Sequence, residues 1–394
     1  MPQQEIVIVA AKRSPIGNML GALSSLSAPE LGAICHKAII EQSGIQPEQI
    51  DEIITGCVLQ AGIGQAPARQ SAILANIPEK TGATTINKMC GSGMKAVMLA
   101  HDLIQAGSAQ IVLAGGMESM SNAPYLLQKA RSGYRLGHGE LKDHLFLDGL
   151  EDAYDRGKLM GCFAEDTAQH FQFTREQQDD FAAQSQQRAL NAQASHTFDS
   201  EIAPVTIATR QGETTIQQDE SPDKNKLAKI KQLRPVFRAD GTVTAANSSS
   251  IADGAASLLL MTAQQAKQLG IQPLARLVGH ASHAQAPAWF TTAPIEAIRK
   301  LLDKINWRLQ DVDAFEINEA FAVVTMAAIK SLELNPEIVN IHGGACALGH
   351  PIGASGARII VTLLYTLQQL QRSKGIAALC IGGGEATAVA IEML

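Results

Sequence analysis

The chain has 394 residues, 46% of them hydrophobic and 18% charged, with a formal net charge of -6. That length exceeds one ordinary core and implies two or three domains, while the acidic balance speaks against a broad nucleic-acid-binding face. No uncharged apolar run reaches the roughly 18 residues that a membrane-spanning helix needs.

The opening residues pass from Met1-Pro2-Gln3-Gln4 directly into the strand-like Glu5-Ile6-Val7-Ile8-Val9-Ala10, with no basic head before a long apolar stretch, so no secretory signal is expected. A helix follows at 29–43, with Pro29 early in its first turn and Gly44 just past its end. Next come a strand at 50–57, a helix near 67–76 and a strand at 83–87. A further helix starts after Cys90, runs to Ala106 and stops at Gly107, and a strand covers 110–114. Strands alternating with helices predict a largely parallel sheet. From about 119 to 247 the pattern changes to a loop-rich part (134–161), a polar helix (175–191) and a basic run. That run carries Lys224, Lys226, Lys229, Lys231, Arg234 and Arg238 with no acidic residue between them. It reads equally as a patch for a polyphosphate ligand and as a solvated face.

The two ends of the chain are faint copies of each other. Residues 50–57 and 312–319 both read as a buried strand entered through an aspartate. Cys90-Gly91-Ser92-Gly93-Met94-Lys95 and Gly353-Ala354-Ser355-Gly356-Ala357-Arg358 each open a helix. Ile111-Val112-Leu113-Ala114-Gly115-Gly116 and Ala377-Ala378-Leu379-Cys380-Ile381-Gly382-Gly383 each end a strand in glycines. Two related α/β halves packed on one another are expected, with residues 119–247 folded over the first.

The six cysteines are scattered, without a Cys-x-x-Cys pair, which fits a reducing compartment and a cytoplasmic protein better than a disulfide framework. Cys90 lies where a strand ends and a helix begins, a position whose amides lower a thiol pKa. Cys380 ends a buried strand before Gly382-Gly383-Gly384, a run that can present N–H groups to an oxyanion or simply form a tight corner. His350, fixed by Pro351 in a glycine-rich stretch that excludes a regular element, can withdraw a thiol proton and return it. His342, Cys346 and His350 have a ligand-like spacing, but those glycines argue against alignment, and no metal is expected. Asn318, at a strand end, can hold a water, donate to an oxyanion or cap the helix expected at 320–329. Lys88, Arg358 and Glu385 read as structural.

Together these motifs resemble the thiolases, specifically their acetyl-CoA acetyltransferase branch. The resemblance runs through Asn87-Lys88-Met89-Cys90-Gly91-Ser92-Gly93, Gly115-Gly116-Met117-Glu118-Ser119-Met120-Ser121 and Thr242-Val243-Thr244-Ala245-Ala246-Asn247-Ser248-Ser249. It continues in Asn318-Glu319-Ala320-Phe321, Gly349-His350-Pro351-Ile352-Gly353 and Cys380-Ile381-Gly382-Gly383-Gly384. It implies an α/β, five-layered αβαβα thiolase fold of two duplicated halves with an inserted loop domain. The corresponding division is 1–118 plus about 248–270, an insertion at 119–247, and 271–394. It also implies a homotetramer, a dimer of dimers. Acyl-CoA thioesters are the implied substrates, with no tightly bound cofactor and neither nucleic acid nor membrane as partner.

Carried over by residue, the resemblance makes Cys90 the acylated nucleophile and His350 the group that activates it. Cys380 becomes the acid and base for the α-proton, and Asn318, through a water, part of one oxyanion hole. The backbone N–H groups of Cys90 and Gly382 form the other. Ser249 matches a coenzyme A contact, and Met160, Phe237, Ala245, Ala320 and Phe321 line the pantetheine channel. Lys224 or Lys226 stands in for a basic residue that the family places near Pro222. Members specific for acetoacetyl-CoA usually read His-Met-Gly where this chain has Leu159-Met160-Gly161, which keeps a 3-ketoacyl-CoA thiolase of broader chain length in play. A β-ketoacyl synthase would carry a histidine in place of Cys380, and an inactive scaffold would not keep Cys90, Asn318, His350 and Cys380 together.

Overall fold

The computed structural model describes residues 4–210 and 212–394. The first part of the chain forms β1 (Ile6–Arg13), β2 (Gly17–Asn18), α1 (Ala28–Ser43), β3 (Glu52–Gly56), α2 (Pro67–Leu74), β4 (Gly82–Ile86), α3 (Ser92–Gln105) and β5 (Ile111–Ser119). Between β5 and the next sheet strand lie two hairpins, β6 (Tyr125–Leu127) with β7 (Leu141–Asp143) and β8 (Val205–Thr209) with β9 (Gly212–Ile216). The same stretch holds α4 (Met160–Phe171), α5 (Arg175–Ala194) and α6 (Lys224–Leu227). β10 (Ala252–Thr262) and α7 (Ala263–Leu269) then lead into β11 (Ala275–Ala284), α8 (Ala293–Ile305), β12 (Ala314–Ile317) and α9 (Ala322–Leu332). The last elements are α10 (Ala345–Leu348), α11 (Ile352–Leu370), β13 (Lys374–Ile381) and β14 (Glu385–Met393).

Local chemistry explains the boundaries. Glu30 reaches back to the Ser27 N–H at 2.7 Å, Pro29 sits in the first turn of α1, and Gly44 ends the helix at φ +67°. β5 and β13 are buried along almost their whole length, because helices cover both faces of the sheet.

The sheet runs β12-β13-β14-β11-β1-β10-β5-β3-β4, and its pairing records the duplication. β1 with β10 and β10 with β5 are antiparallel, and β5 with β3 is parallel. In the same way β11 with β14 and β14 with β13 are antiparallel, and β13 with β12 is parallel. The halves join where Val7 faces Arg276 and Ile8 faces Ala275 across β1 and β11. α1 and α2 cover the outer face of the first half, α8 and α9 that of the second, and α3 and α11 lie between, giving the five layers.

The expectation of a largely parallel sheet is therefore corrected. β14 returns beside β13 through a three-residue glycine turn, and β10 enters between β1 and β5. Antiparallel neighbours can be joined by a hairpin, whereas parallel ones need a long crossover. A second correction concerns the stretch around His350, where a single helical turn, α10, forms between Gly344 and Gly349.

The central helices meet at their starts. A Cβ on Gly93 would lie 2.9 Å from the Ala357 nitrogen, and one on Gly356 2.5 Å from the Met94 nitrogen. Only glycine permits this contact. Beneath it Met94, Met98, Ile360 and Leu363 are fully buried with Leu258 and Leu379, each side chain contributing about 1.5–3 kcal/mol. The helix starts that carry Cys90 and His350 are thus pinned together by the core itself.

Candidate active site

The Cys90 turn is shaped by its own motif. Asn87 Oδ1 accepts the Met89 N–H at 2.9 Å, while Ser92 Oγ accepts the Lys88 N–H at 2.8 Å and donates to the Met89 carbonyl at 2.7 Å. These bonds hold Met89 at φ +48°, a left-handed conformation that costs a non-glycine residue about 1 kcal/mol or more. Cys90 follows, half-buried, immediately before the Gly91 cap of α3 and packed against Ile352 and Met120. Lys88 pairs with Glu385 at the start of β14 and so ties this turn to the one after β13.

Cys380 is fully buried near the end of β13, in an apolar cluster with Phe163, Ala320, Phe321 and Val324. Met160 and Phe237 pack on that cluster. The turn beyond it needs glycine, because Gly383 and Gly384 adopt φ +94° and +89°. The Gly382 N–H faces the Cys90 sulfur and, with the Cys90 N–H, favours its charged form. Burial nevertheless outweighs both amides and pushes the Cys90 thiol up to about 11, so the low thiol pKa expected from a helix terminus does not appear. Burial also raises Cys380, and charge on Cys90 raises it further. The two thiols are close enough that ionising one opposes ionising the other.

His350 lies in the loop before α11, its N–H bonded to the Ser250 carbonyl at 2.9 Å. Its Nδ1 is 2.5 Å from Ser355 Oγ, and that hydroxyl donates to the Pro351 carbonyl at 2.9 Å. The hydroxyl proton is thereby committed, so Ser355 accepts Nδ1–H and the bare nitrogen is Nε2. Burial, with a smaller push from the Arg358 charge, lowers His350 to about 3, which makes it a neutral base. Nε2 has no hydrogen-bond partner among the described residues.

Asn318 directly follows β12, its N–H bonded to the Ala378 carbonyl two residues before Cys380. Its Oδ1 accepts from Arg358 Nη2 at 3.4 Å, which leaves Nδ2 as the free end, again with no partner among the described residues. Buried polar atoms seldom go unpaired, and such gaps mark places where a ligand or water completes the bonding. Asn318 does not cap the following helix: α9 begins at Ala322 behind Phe321, without a side-chain cap. Arg358 also reaches Glu316 at 3.4 Å, whose carboxyl burial raises to about 8.

Segment 119–247 contributes the opposite wall. A Cβ on Gly382 would meet Met160 Sδ at 3.4 Å, and the Phe237 and Phe321 rings meet edge to face at 6.0 Å. Glu165 fixes this wall by accepting the Thr242 and Val243 N–H groups at 2.9 and 2.8 Å. Ser249 spends both its N–H and its hydroxyl on the Ala320 carbonyl, each at 3.0 Å. Ala245, Lys224 and Lys226 are exposed and do not belong to the cluster around Cys380; Lys226 donates to the Ser221 carbonyl at 2.9 Å. In the basic run Lys231 and Arg238 pair with Asp180 and Asp166.

Sequence reasoning passed over Ser355 and Glu118. Glu118 accepts the N–H groups of Val58, Leu59 and Gly353 at 3.0, 3.1 and 2.9 Å, locking the His350 loop to the loop after β3. A lone acid in the otherwise apolar β5 was the available signal.

This chain belongs to the thiolase family and is an acyltransferase: residues 6–264 match the thiolase N-terminal domain and residues 271–393 the thiolase C-terminal domain. It is 49% identical to the acetyl-CoA acetyltransferase of Allochromatium vinosum over 99% of this chain and 100% of that one. To the enzyme of that name from Chromobacterium violaceum it is 48% identical, over 98% and 99%. The crystal structure of the Bacillus anthracis acetyl-CoA acetyltransferase matches with a TM-score of 0.97 at 42% identity, covering 100% of this chain and 99% of that one. Among the described residues no helix is long and apolar enough to cross a membrane.

Proposed function

We propose that the protein is an acetyl-CoA C-acetyltransferase, which condenses two acetyl-CoA to acetoacetyl-CoA and CoA and runs the reverse thiolysis. The carrying observation is that the helix starts following Cys90 and His350 touch at Gly93 and Gly356, where two interacting thiols and a neutral histidine whose Nε2 has no partner among the described residues are available. Cys90 passes its proton to His350 Nε2, and the thiolate attacks the thioester carbonyl, because a covalent acyl-cysteine splits one hard step into two. The departing CoA thiolate takes the proton of Cys380. Acylation has by then removed the Cys90 charge that opposed Cys380 ionisation, so a Cys380 thiolate and a His350 imidazolium now stand together.

Cys380 next removes the α-proton of the second acetyl-CoA. The resulting enolate oxygen is stabilised by His350 and by an Asn318-held water, and the Cys90 and Gly382 N–H groups receive the oxyanion at the acyl carbon. Carbon attack on acetyl-Cys90 expels its thiolate, which recovers the proton from His350, and both thiols are restored. Ser249, Met160, Phe237, Ala245, Ala320 and Phe321 border the pantetheine arm, with Lys224 or Lys226 toward the phosphates. The relatives' shared name supports the short-chain reading over a broad 3-ketoacyl-CoA thiolase. We place the enzyme in the cytoplasm as a homotetramer, which light scattering on the purified protein checks.

Brief incubation with acetyl-CoA followed by peptide mass spectrometry tests the central step. One acetyl group on Cys90 is expected, and label on Cys380 or on neither thiol overturns the assignment. Thiolysis rates over short, medium and long 3-ketoacyl-CoA chains test the substrate class.

A further inference from the structure

A second convergence of donor groups lies away from the thiols, where α3 passes β11. His101 Nδ1 is 3.1 Å and His280 Nε2 2.8 Å from the same Asp102 Oδ1. The three donor atoms all lie within 4.8 Å of one another. The imidazoles stand edge to face at 5.1 Å, with only 13% and 10% of their side chains exposed, while the Asp102 side chain is 52% exposed. His101 also borders a hollow of about 440 Å³ whose wall includes Gln105 and Lys304, giving solvent a way in. A tetrahedral cation held by bonds of about 2.1 Å sets its ligand atoms about 3.4 Å apart. The observed nitrogen-to-oxygen separations thus need to open by only a few tenths of an ångström.

We propose that His101, Asp102 and His280 form a site for a divalent transition cation such as zinc, nickel or cobalt, with the fourth position open to water. Two imidazoles and a carboxylate suit these borderline cations better than calcium or magnesium. On binding, each neutral ring shifts the proton it offered to Asp102 onto its other nitrogen, His101 Nε2 or His280 Nδ1, so no net proton need be lost. The other charged groups around the hollow are Glu5, Arg276 and Lys304, of which Lys304 donates its Nζ–H to the His280 carbonyl at 3.0 Å. The Lys304 charge tempers affinity for the cation. Occupancy would clamp α3, the helix that Cys90 precedes, to β11. The site is independent of the acyl-transfer reading.

Cobalt(II) titration of the intact, chelator-treated enzyme tests this. One equivalent should produce visible ligand-field bands of a four-coordinate nitrogen and oxygen site without a near-ultraviolet thiolate-to-metal band. Asp102→Asn, a change at a half-exposed position, should weaken binding by at least about tenfold, as should His101→Ala and His280→Ala. Cys90→Ala and Cys380→Ser should leave the bands in place. A thiolate band lost in Cys90→Ala, an Asp102→Asn titration identical to wild type, or no bands at millimolar cobalt each overturns the site.

Discussion

The two halves present the same joint to each other, a turn leading into a central helix, and fill it differently. In the first half the joint between β4 and α3 holds Cys90, strained into place through Met89. In the second the joint before α11 holds His350, steadied by Ser355 and Pro351. The strands diverge as well: β5 runs on through its glycines to Glu118, which anchors loops, while β13 stops at Ile381 and turns through three glycines beside Cys380. Duplication supplied two helix starts in backbone contact, and divergence left a half-buried thiol at one, a histidine at the other and a fully buried thiol on β13.

The sharpest way to break this division of labour is Cys380→Ser. Condensation should fall by about 10²–10⁴-fold, while acetylation of Cys90 persists in mass spectra; loss of both would merge the two roles. Ser355→Ala should lower the rate of Cys90 acylation by about 10–100-fold, the range found when a residue orienting a histidine is removed. Ser355→Thr should recover most of it in single-turnover assays, and an unchanged Ser355→Ala rate would remove Ser355 from the site.

The thiols can also be compared by pH. A thiol held at about 11 is almost wholly protonated at neutral pH, so iodoacetamide labelling of Cys90 should still rise about tenfold per unit near pH 9. Cys380, raised by burial and by Cys90, should label more slowly throughout. A plateau for Cys90 near pH 7 would instead indicate a resting thiolate–imidazolium pair. The smallest effect concerns Leu159, at the start of α4 beside Met160. An apolar pocket discriminates a methylene by about 1–3 kcal/mol, so Leu159→His should sharpen preference for the four-carbon substrate by roughly tenfold, measured as a ratio of kcat/KM values.

Much of this was legible in the sequence where glycine or proline forces the backbone. The turns at Cys90, His350 and Cys380, the repeat linking 90–95 with 353–358, and the helices α1, α2, α3 and α5 follow from local signals, whereas α4 was not foreseen. Strand direction did not, because whether β10 lies antiparallel to β5 depends on a partner more than a hundred residues away. Thiol acidity was misread for a related reason: helix termini are visible in a sequence, but the desolvation that overrides them is not. Arg358 was not foreseen as an orienting group because its partner Asn318 is 40 residues away and only the fold brings it within reach, whereas Ser355 lies five residues from His350 and was overlooked locally.

The join between the halves has a consequence for synthesis. β1 leaves the ribosome well before its partners: among the described residues its ladder neighbours are β10 and β11, and its Ile6 waits for Thr262, roughly 250 residues later. At about 5–20 residues per second that interval is tens of seconds, during which α1 can pack on β1 but neither edge of the strand has its native strand neighbour. Nascent chains halted before β10 should therefore bind chaperones through β1 and release them once β11 has emerged.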